Sequence, residues 1–188
     1  SHKKPPAAGT GGGAPSSSAK EAFISRMASG MCAAFHPTDP SFYIVGTEEG
    51  SVHKCSVSYN EQYLETYQGH SGPVYKVAWS PFVSSAFLSC SADWAIKVWH
   101  QDSDTAMLTL QSSADYVGDL HWSPAISTCF ASVTGDGLVN IWDMSISTLD
   151  PIVSEKRVHP ETKATIVPWC IRFSPNANVV VAGDKSGG

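Results

Sequence analysis

The chain has 188 residues, of which 42% are hydrophobic and only 15% charged, so it can bury a core of ordinary size. The formal net charge is −5 and no cluster of Lys and Arg occurs. These features argue against a nucleic-acid partner, because such binding depends on cations that neutralise phosphates. No apolar run approaches the roughly 20 residues that span a bilayer and no signal peptide is visible, so we expect no membrane partner and a cytoplasmic location.

The cysteines, histidines and possible nucleophiles, which could bind a metal or act in catalysis, are scattered along the sequence. The five cysteines lie far apart and form no C-x-x-C pair, and no histidine has a second ligand at metal-binding spacing. No G-x-S-x-G element or other activated nucleophile occurs. We therefore expect no metal, no cofactor and no catalytic residue, and predict that the chain is not an enzyme.

Residues 1–20 predict a disordered linker rich in Gly, Ser and Pro. The stretch 7–18 has no large apolar side chain, so it cannot bury enough surface to offset the entropy lost on ordering. Its glycines lack the Lys of a phosphate-binding loop. Because the chain does not begin with Met, we expect it to be part of a longer one.

From residue 30 onward a short run that ends in aromatic-x-Pro occurs four times. The prolines stand at positions 37, 81, 124 and 175, so the period is roughly 40–50 residues, which is typical of propeller blades. Apolar residues alternate with others before each proline, and this period of two predicts a half-buried strand. The aromatic residues recur at one strand position and are predicted to lie in the core: Phe35, Trp79, Trp122 and Phe173.

A second strand, a tight turn, a third strand and a fourth strand are predicted to follow in each repeat. The turn Gly135-Asp136-Gly137 is a strong hairpin signal because such turns need positive φ. The pattern predicts an all-β protein whose residues 21–188 form a β-propeller fragment, with three full four-stranded blades and the first half of a fourth. The repeat units are predicted at about 30–67, 70–111, 113–160 and 166–188.

The second repeat resembles a nearly complete WD repeat. It contains Gly69-His70, then Ser89-Cys90-Ser91-Ala92-Asp93, then Ile96-Lys97-Val98-Trp99, and the third repeat contains Asn140-Ile141-Trp142-Asp143. The resemblance implies a buried hydrogen-bonded chain that links His70, either Ser89 or Ser91, Asp93 and Trp99. The third repeat keeps three members of this structural network, namely Thr134, Asp136 and Trp142, but has Ser113 where the histidine should fall.

A closer resemblance is carried by the stretches 46–59 and 89–94, which look like dynein intermediate chains, most of all the axonemal outer-arm type. The resemblance implies a scaffold whose propeller holds the tail of a dynein heavy chain beside a second intermediate chain, in the axoneme of a cilium or flagellum. Light chains would bind an upstream region outside this sequence. A generic WD-repeat adaptor in another intracellular complex is the alternative.

Trp94 stands in a turn where the repeat normally has Gly. The repeat gives a large aromatic no packing role at that position, and exposed aromatic side chains often carry much of the energy of an interface. Two interpretations stay open: Trp94 contacts a partner, or it covers a neighbouring loop.

Overall fold

The computed structural model describes residues 28–59, 61–185 and 187, so the predicted linker at 1–20 lies outside the described residues. The described chain forms antiparallel sheets joined by turns, and no helix within it could cross a membrane. Three sheets have four strands each and one has two. The predicted all-β propeller fragment, with three full blades and half of a fourth, is therefore confirmed.

Each sheet is one blade, and its strands follow one another in chain order. Blade 1 contains β1 (Gly30–Phe35), β2 (Phe42–Thr47), β3 (Ser51–Ser56) and β4 (Glu65–Gln68). Blade 2 contains β5 (Val74–Trp79), β6 (Ala86–Ser91), β7 (Ile96–His100) and β8 (Leu108–Leu110). Blade 3 contains β9 (Val117–Trp122), β10 (Cys129–Thr134), β11 (Leu138–Asp143) and β12 (Val153–Lys156). Blade 4 contains β13 (Pro168–Phe173) and β14 (Val180–Asp184).

The first strand of every blade is the inner strand, and successive inner strands contact each other: β1 with β5, β5 with β9, and β9 with β13. The core lies between neighbouring blades, where large side chains from both sheets pack together. Phe87 and Trp99 stack with parallel rings in blade 2, as Phe130 and Trp142 do in blade 3. Each such side chain stabilises the fold by about 1.5–3 kcal/mol through burial.

Two tryptophans at the ends of inner strands join blade 2 to blade 1 and blade 3 to blade 2. The indole N–H of Trp79 donates to the carbonyl of Ala34 at 3.2 Å, and that of Trp122 donates to the carbonyl of Ala78 at 3.1 Å. Both side chains are buried, as predicted. The prediction was wrong for Phe35, which is 66% exposed, and Phe173 is only partly buried. Burial of Phe35 would require a preceding blade, and none lies against β1 within the described residues.

Every inner strand has a β-bulge at its second residue. The register shifts between the first and third residues of the strand in each blade, which leaves one extra residue unpaired. The extra residues are Met31, Tyr75, Gly118 and Trp169. Because a bulge bends the strand and re-aims a side chain, the same backbone irregularity recurs at one end of all four blades.

Candidate functional site

The tight turns between the second and third strands lie at the same end of the propeller as the starts of the inner strands. The register shows this directly, because Gly30 pairs with Thr47, Val74 with Ser91, and Val117 with Thr134. We call this end the turn face. It brings together the hydrogen-bonded residues of the WD pattern, Trp94 and the four bulges.

In blade 2 four side chains form a continuous hydrogen-bonded chain. His70 Nδ1 lies 3.0 Å from an Asp93 carboxylate oxygen, and His70 Nε2 lies 2.7 Å from Ser89 Oγ. The Trp99 indole N–H donates to the same Ser89 oxygen at 2.8 Å. Of the two serines that the sequence left open, Ser89 is thus the one that joins the chain.

The donors and acceptors fix where the protons lie in this hydrogen-bonded network of blade 2. Since the Asp93 carboxylate only accepts, the imidazole carries its proton on Nδ1, and the Ser89 hydroxyl donates to Nε2 while accepting from Trp99. Every member is satisfied, which is the condition for a polar network in a core.

Burial and hydrogen bonding shift both titratable members of the chain. Burial lowers the pKa of His70, and the nearby Asp93 carboxylate offsets this only in part. For Asp93, burial opposes the charge, but the backbone N–H groups of Ser71 and Ala95 and the imidazole outweigh it, so the pKa of that carboxyl lies below its usual value. A neutral imidazole beside an ionised carboxylate is therefore the stable state near neutral pH.

Ser91 has a separate task. Its hydroxyl donates to the carbonyl of Gly72 at 2.9 Å and accepts from the backbone N–H of Asp93 at 3.2 Å. These bonds hold the turn against the connection that precedes β5. Ser91 therefore positions the Asp93 carboxylate but is not part of the relay, the name we use for the hydrogen-bonded side chains of His70, Asp93, Ser89 and Trp99.

In blade 3 the predicted residues form two separate pairs. The Thr134 hydroxyl donates to Asp136, whereas the Trp142 indole donates to Ser132 at 3.0 Å. Ser132 was not singled out from the sequence. It could have been found by register, because Ser132 lies opposite Asn140 as Ser89 lies opposite Lys97.

Blade 1 lacks the relay. Cys55 pairs with Tyr43 in the register that Trp99 and Phe87 occupy in blade 2, so no indole donor is present there. Burial raises the pKa of the Cys55 thiol, which keeps it protonated. The turn is held instead by Thr47, whose hydroxyl donates to the carbonyl of Ser51 at 2.9 Å.

Trp94 adopts a left-handed backbone conformation, with φ of 73°, and its side chain is 45% exposed. The equivalent residues of blades 1 and 3 are Gly50 and Gly137, with φ of 90° and 89°. A residue with a Cβ pays about 1–2 kcal/mol for this conformation, and a bulky aromatic is rare in it. The turn therefore presents an indole to the surface at a cost in backbone strain, a feature that clusters at functional sites.

The described residues hold no group of His, Cys, Asp or Glu that could bind a metal ion. The five cysteines are all free thiols. What the turn face offers is a set of hydrogen-bonded turns and aromatic side chains, which is the chemistry of a binding surface.

Comparison with known proteins gives the family. The model of the WD40 domain of dynein axonemal intermediate chain 3 matches residues 42–188. Dynein axonemal intermediate chain 4 of Mus musculus is 47% identical over 167 residues, which cover 89% of this chain and 20% of that protein. The ciliary dynein intermediate chain 2 of Heliocidaris crassispina is 39% identical over 160 residues, which cover 84% of this chain and 22% of that protein.

The chain thus spans about a fifth of the length of the curated relatives it matches. Their descriptions name no arm of the axoneme, so the outer-arm resemblance stays a prediction. The match to the family model covers most of the described residues, from β2 of blade 1 to the end of blade 4. The chain therefore belongs to the WD40-domain family of dynein axonemal intermediate chains.

Proposed function

We propose that this chain is part of a non-catalytic subunit of an axonemal dynein, and that its propeller binds the tail of a dynein heavy chain in the axoneme of a cilium or flagellum. Membership of the intermediate-chain family carries the proposal. The second intermediate chain of the same motor is the further partner we propose, and light chains would bind outside this sequence.

Trp94 is the contact residue that we propose within this function. Its exposed indole is held in a conformation that costs free energy, and the two neighbouring blades use glycine at the same place. Exposed tryptophans are enriched among the residues that dominate interfaces. A partner that buries the rest of the indole would offset a strain of this size.

The test is co-purification of the tagged full-length parent protein from ciliated cells, with identification of its partners by mass spectrometry. We expect a dynein heavy chain in stoichiometric amount. Trp94→Gly should lower the recovery of heavy chain by about tenfold while leaving the melting temperature unchanged or higher, because Gly relieves the left-handed strain.

Met107→Ser is the matched control, because Met107 is 60% exposed and lies at the opposite end of the blade, before β8. This control should retain the heavy chain. Recovery of other proteins without any heavy chain would instead identify a generic WD-repeat adaptor. Full heavy-chain recovery with Trp94→Gly would remove Trp94 from the interface but leave the motor assignment in place.

A further inference from the structure

The end of the propeller opposite the turn face is formed by longer connections, which join the first strand of a blade to the second and the third to the fourth. We call it the long-loop face. Its segments are 36–41, 57–64, 80–85, 101–107, 123–128, 144–152 and 174–179. In each four-stranded blade a backbone N–H of the second connection donates to a carbonyl of the first: Val57 to Ser41, Gln101 to Ser85 and Met144 to Thr128. The connections of a blade therefore form one bonded surface.

Serine hydroxyls fix the backbone where the long-loop face carries apolar side chains. Ser80 Oγ accepts from the backbone N–H groups of Phe82 and Val83, at 3.3 and 3.1 Å. Ser123 Oγ accepts in the same way from the N–H groups two and three residues further on, at 3.2 and 3.1 Å, and the second of these belongs to Ile126. Because a serine that binds backbone groups in this way stabilises a turn, these side chains are held in place in the free protein.

The connection before β12 in blade 3 repeats this arrangement. Ser147 Oγ accepts from the backbone N–H groups of Leu149 and Asp150, at 3.2 and 3.1 Å. The N–H groups of Ile146 and Ser147 both donate to the carbonyl of Asp143 at 3.0 Å. Ile146 is 71% and Leu149 77% exposed, the highest values among the large apolar side chains of the described residues. The two most exposed apolar side chains thus stand on an ordered turn.

The apolar side chains that these turns present form what we call the long-loop surface, defined by Phe82, Val83, Ile126, Ile146 and Leu149. The first three are 48%, 49% and 51% exposed, and none of the five belongs to the clusters of the core. Beside Ile126 a cavity of about 410 Å³ lies between the connections of blades 3 and 4. Exposed apolar surface of this kind marks an interaction site, and side chains that are ordered beforehand lose less entropy when a partner binds.

The charge of the long-loop face is negative. None of its connections contains Lys or Arg, whereas they hold these exposed carboxylates: Asp39, Glu61, Asp102, Asp104 and Asp150. A cation of a neighbouring strand, Lys54 of β3, lies over the ring of Phe42, with its Nζ 4.2 Å from the ring centre. The connections of blades 2 and 3, which carry the long-loop surface, therefore offer carboxylates without a cation of their own.

We propose that the long-loop surface docks a protein segment whose apolar side chains are flanked by Lys or Arg. The apolar side chains would fill the cavity beside Ile126, and the cations would face Asp102, Asp104 and Asp150. Charge complementarity of this kind sets specificity and the rate of association. A second copy of this chain is disfavoured as the occupant, because the chain carries a net charge of −5. The surface lies at the opposite end of the propeller from Trp94, so the inference does not rest on the heavy-chain proposal.

The test uses the full-length parent protein and two short fluorescein-labelled amphipathic peptides, one of leucine and lysine and one in which glutamate replaces each lysine. We expect the leucine–lysine peptide to bind, with an affinity that falls as ionic strength rises. Phe82→Ser and Leu149→Ser should each weaken its binding by about tenfold, as measured by fluorescence anisotropy. Asp150→Asn should weaken it by a smaller factor, because Asp150 is an exposed charge beside the apolar side chains.

Met31→Ser is the matched control, because Met31 is 46% exposed and lies on the bulge of β1 at the turn face. This control should bind the peptide normally, and Leu149→Ser should melt at the temperature of the unaltered protein. Equal binding of the glutamate peptide would overturn the proposal, as would an equal loss with Met31→Ser. A concentration-dependent dimer that Leu149→Ser abolishes would also overturn it, because the occupant would then be a second copy of the chain.

Discussion

Ser89 and Ser132 occupy the same register position in neighbouring blades but serve different numbers of partners. Ser89 joins the indole of Trp99 to the imidazole of His70. Ser132 receives the indole of Trp142, and the residue at the histidine position of its blade is Ser113. A buried hydroxyl that satisfies two groups is more costly to remove than one that satisfies a single group.

We therefore expect Ser89→Ala to lower the free energy of unfolding by roughly 1–3 kcal/mol more than Ser132→Ala does, because it leaves both the Trp99 N–H and His70 Nε2 without a partner. Urea unfolding followed by tryptophan fluorescence measures both values. Equal losses in the two variants would show that the imidazole contributes nothing through this bond.

The residues of the relay could be named from the WD pattern, but the choice between Ser89 and Ser91 could not. The two serines are two positions apart on one strand, so the alternation of side chains places both on the same face of the sheet. Only the observed contacts separate them, since Ser89 meets the imidazole and Ser91 meets the carbonyl of Gly72. Ser132 was not predicted for a related reason: Thr134, two positions further on, fits the Ser or Thr position of the WD pattern equally well.

At the scale of the element, the tight turns contribute to stability because they contact the connections between blades. A Cβ on Gly50 would overlap the backbone carbonyl of His70, which belongs to the connection leading into the next blade. Gly137 has a similar φ of 89°, but a Cβ there would first meet a side-chain atom, Thr165 Cγ2. The close approach at Gly50 is to backbone, which cannot rotate away as a side chain can.

Gly50→Ala and Gly137→Ala should each lose about 1–2 kcal/mol through left-handed strain. Gly50→Ala should lose a further 1–3 kcal/mol or so, because the blade connection must shift to admit the methyl group. Thermal and urea unfolding of the two variants give the difference. If they are equally stable, the approach of blade 1 to the connection is looser than described.

Strands and turns were predictable because alternation and Gly or Asp mark them, and the turn Gly135-Asp136-Gly137 lies between β10 and β11 as expected. The bulges were not predictable. The run Val74-Tyr75-Lys76-Val77 has no Gly or Pro to mark the irregularity, and only the pairing with β6 reveals that Tyr75 is the extra residue.

At the scale of the whole molecule, one carboxylate links three blades. Asp119, on the inner strand of blade 3, has a side chain that is only 7% exposed. It accepts from the backbone N–H of Ile171 at 3.0 Å and from Arg172 at 2.6 Å, both in blade 4. Lys76 of blade 2 lies 3.8 Å away on the other side. This arrangement fixes the spacing of adjacent inner strands.

Asp119→Ala should lower the free energy of unfolding by roughly 1–3 kcal/mol, because it leaves the buried N–H of Ile171 without an acceptor. Asp119→Asn keeps an acceptor at the same place and should lose less. Urea unfolding of the pair at low and high salt separates the hydrogen bond from the charge. Equal losses in both variants would assign the effect to charge alone.

The contacts between blades were the part of the fold that sequence could not supply. Alternation identifies which face of a strand is apolar, but not which neighbour covers it. Trp79, Trp122, Phe173 and Phe35 are equivalent in the repeat, yet the two tryptophans are buried, Phe173 is partly buried and Phe35 is exposed. Phe35 differs from the other three because no blade lies before it within the described residues.

The hydrogen bonds from Trp79 and Trp122 to the preceding blade also bear on the order in which the blades can fold during synthesis. Each indole reaches back to a carbonyl that lies 45 or 44 residues earlier in the chain. As the polypeptide leaves the ribosome, the acceptor is therefore made well before its donor. A newly synthesised blade meets a docking edge that already exists, so these two contacts can form in the order of translation.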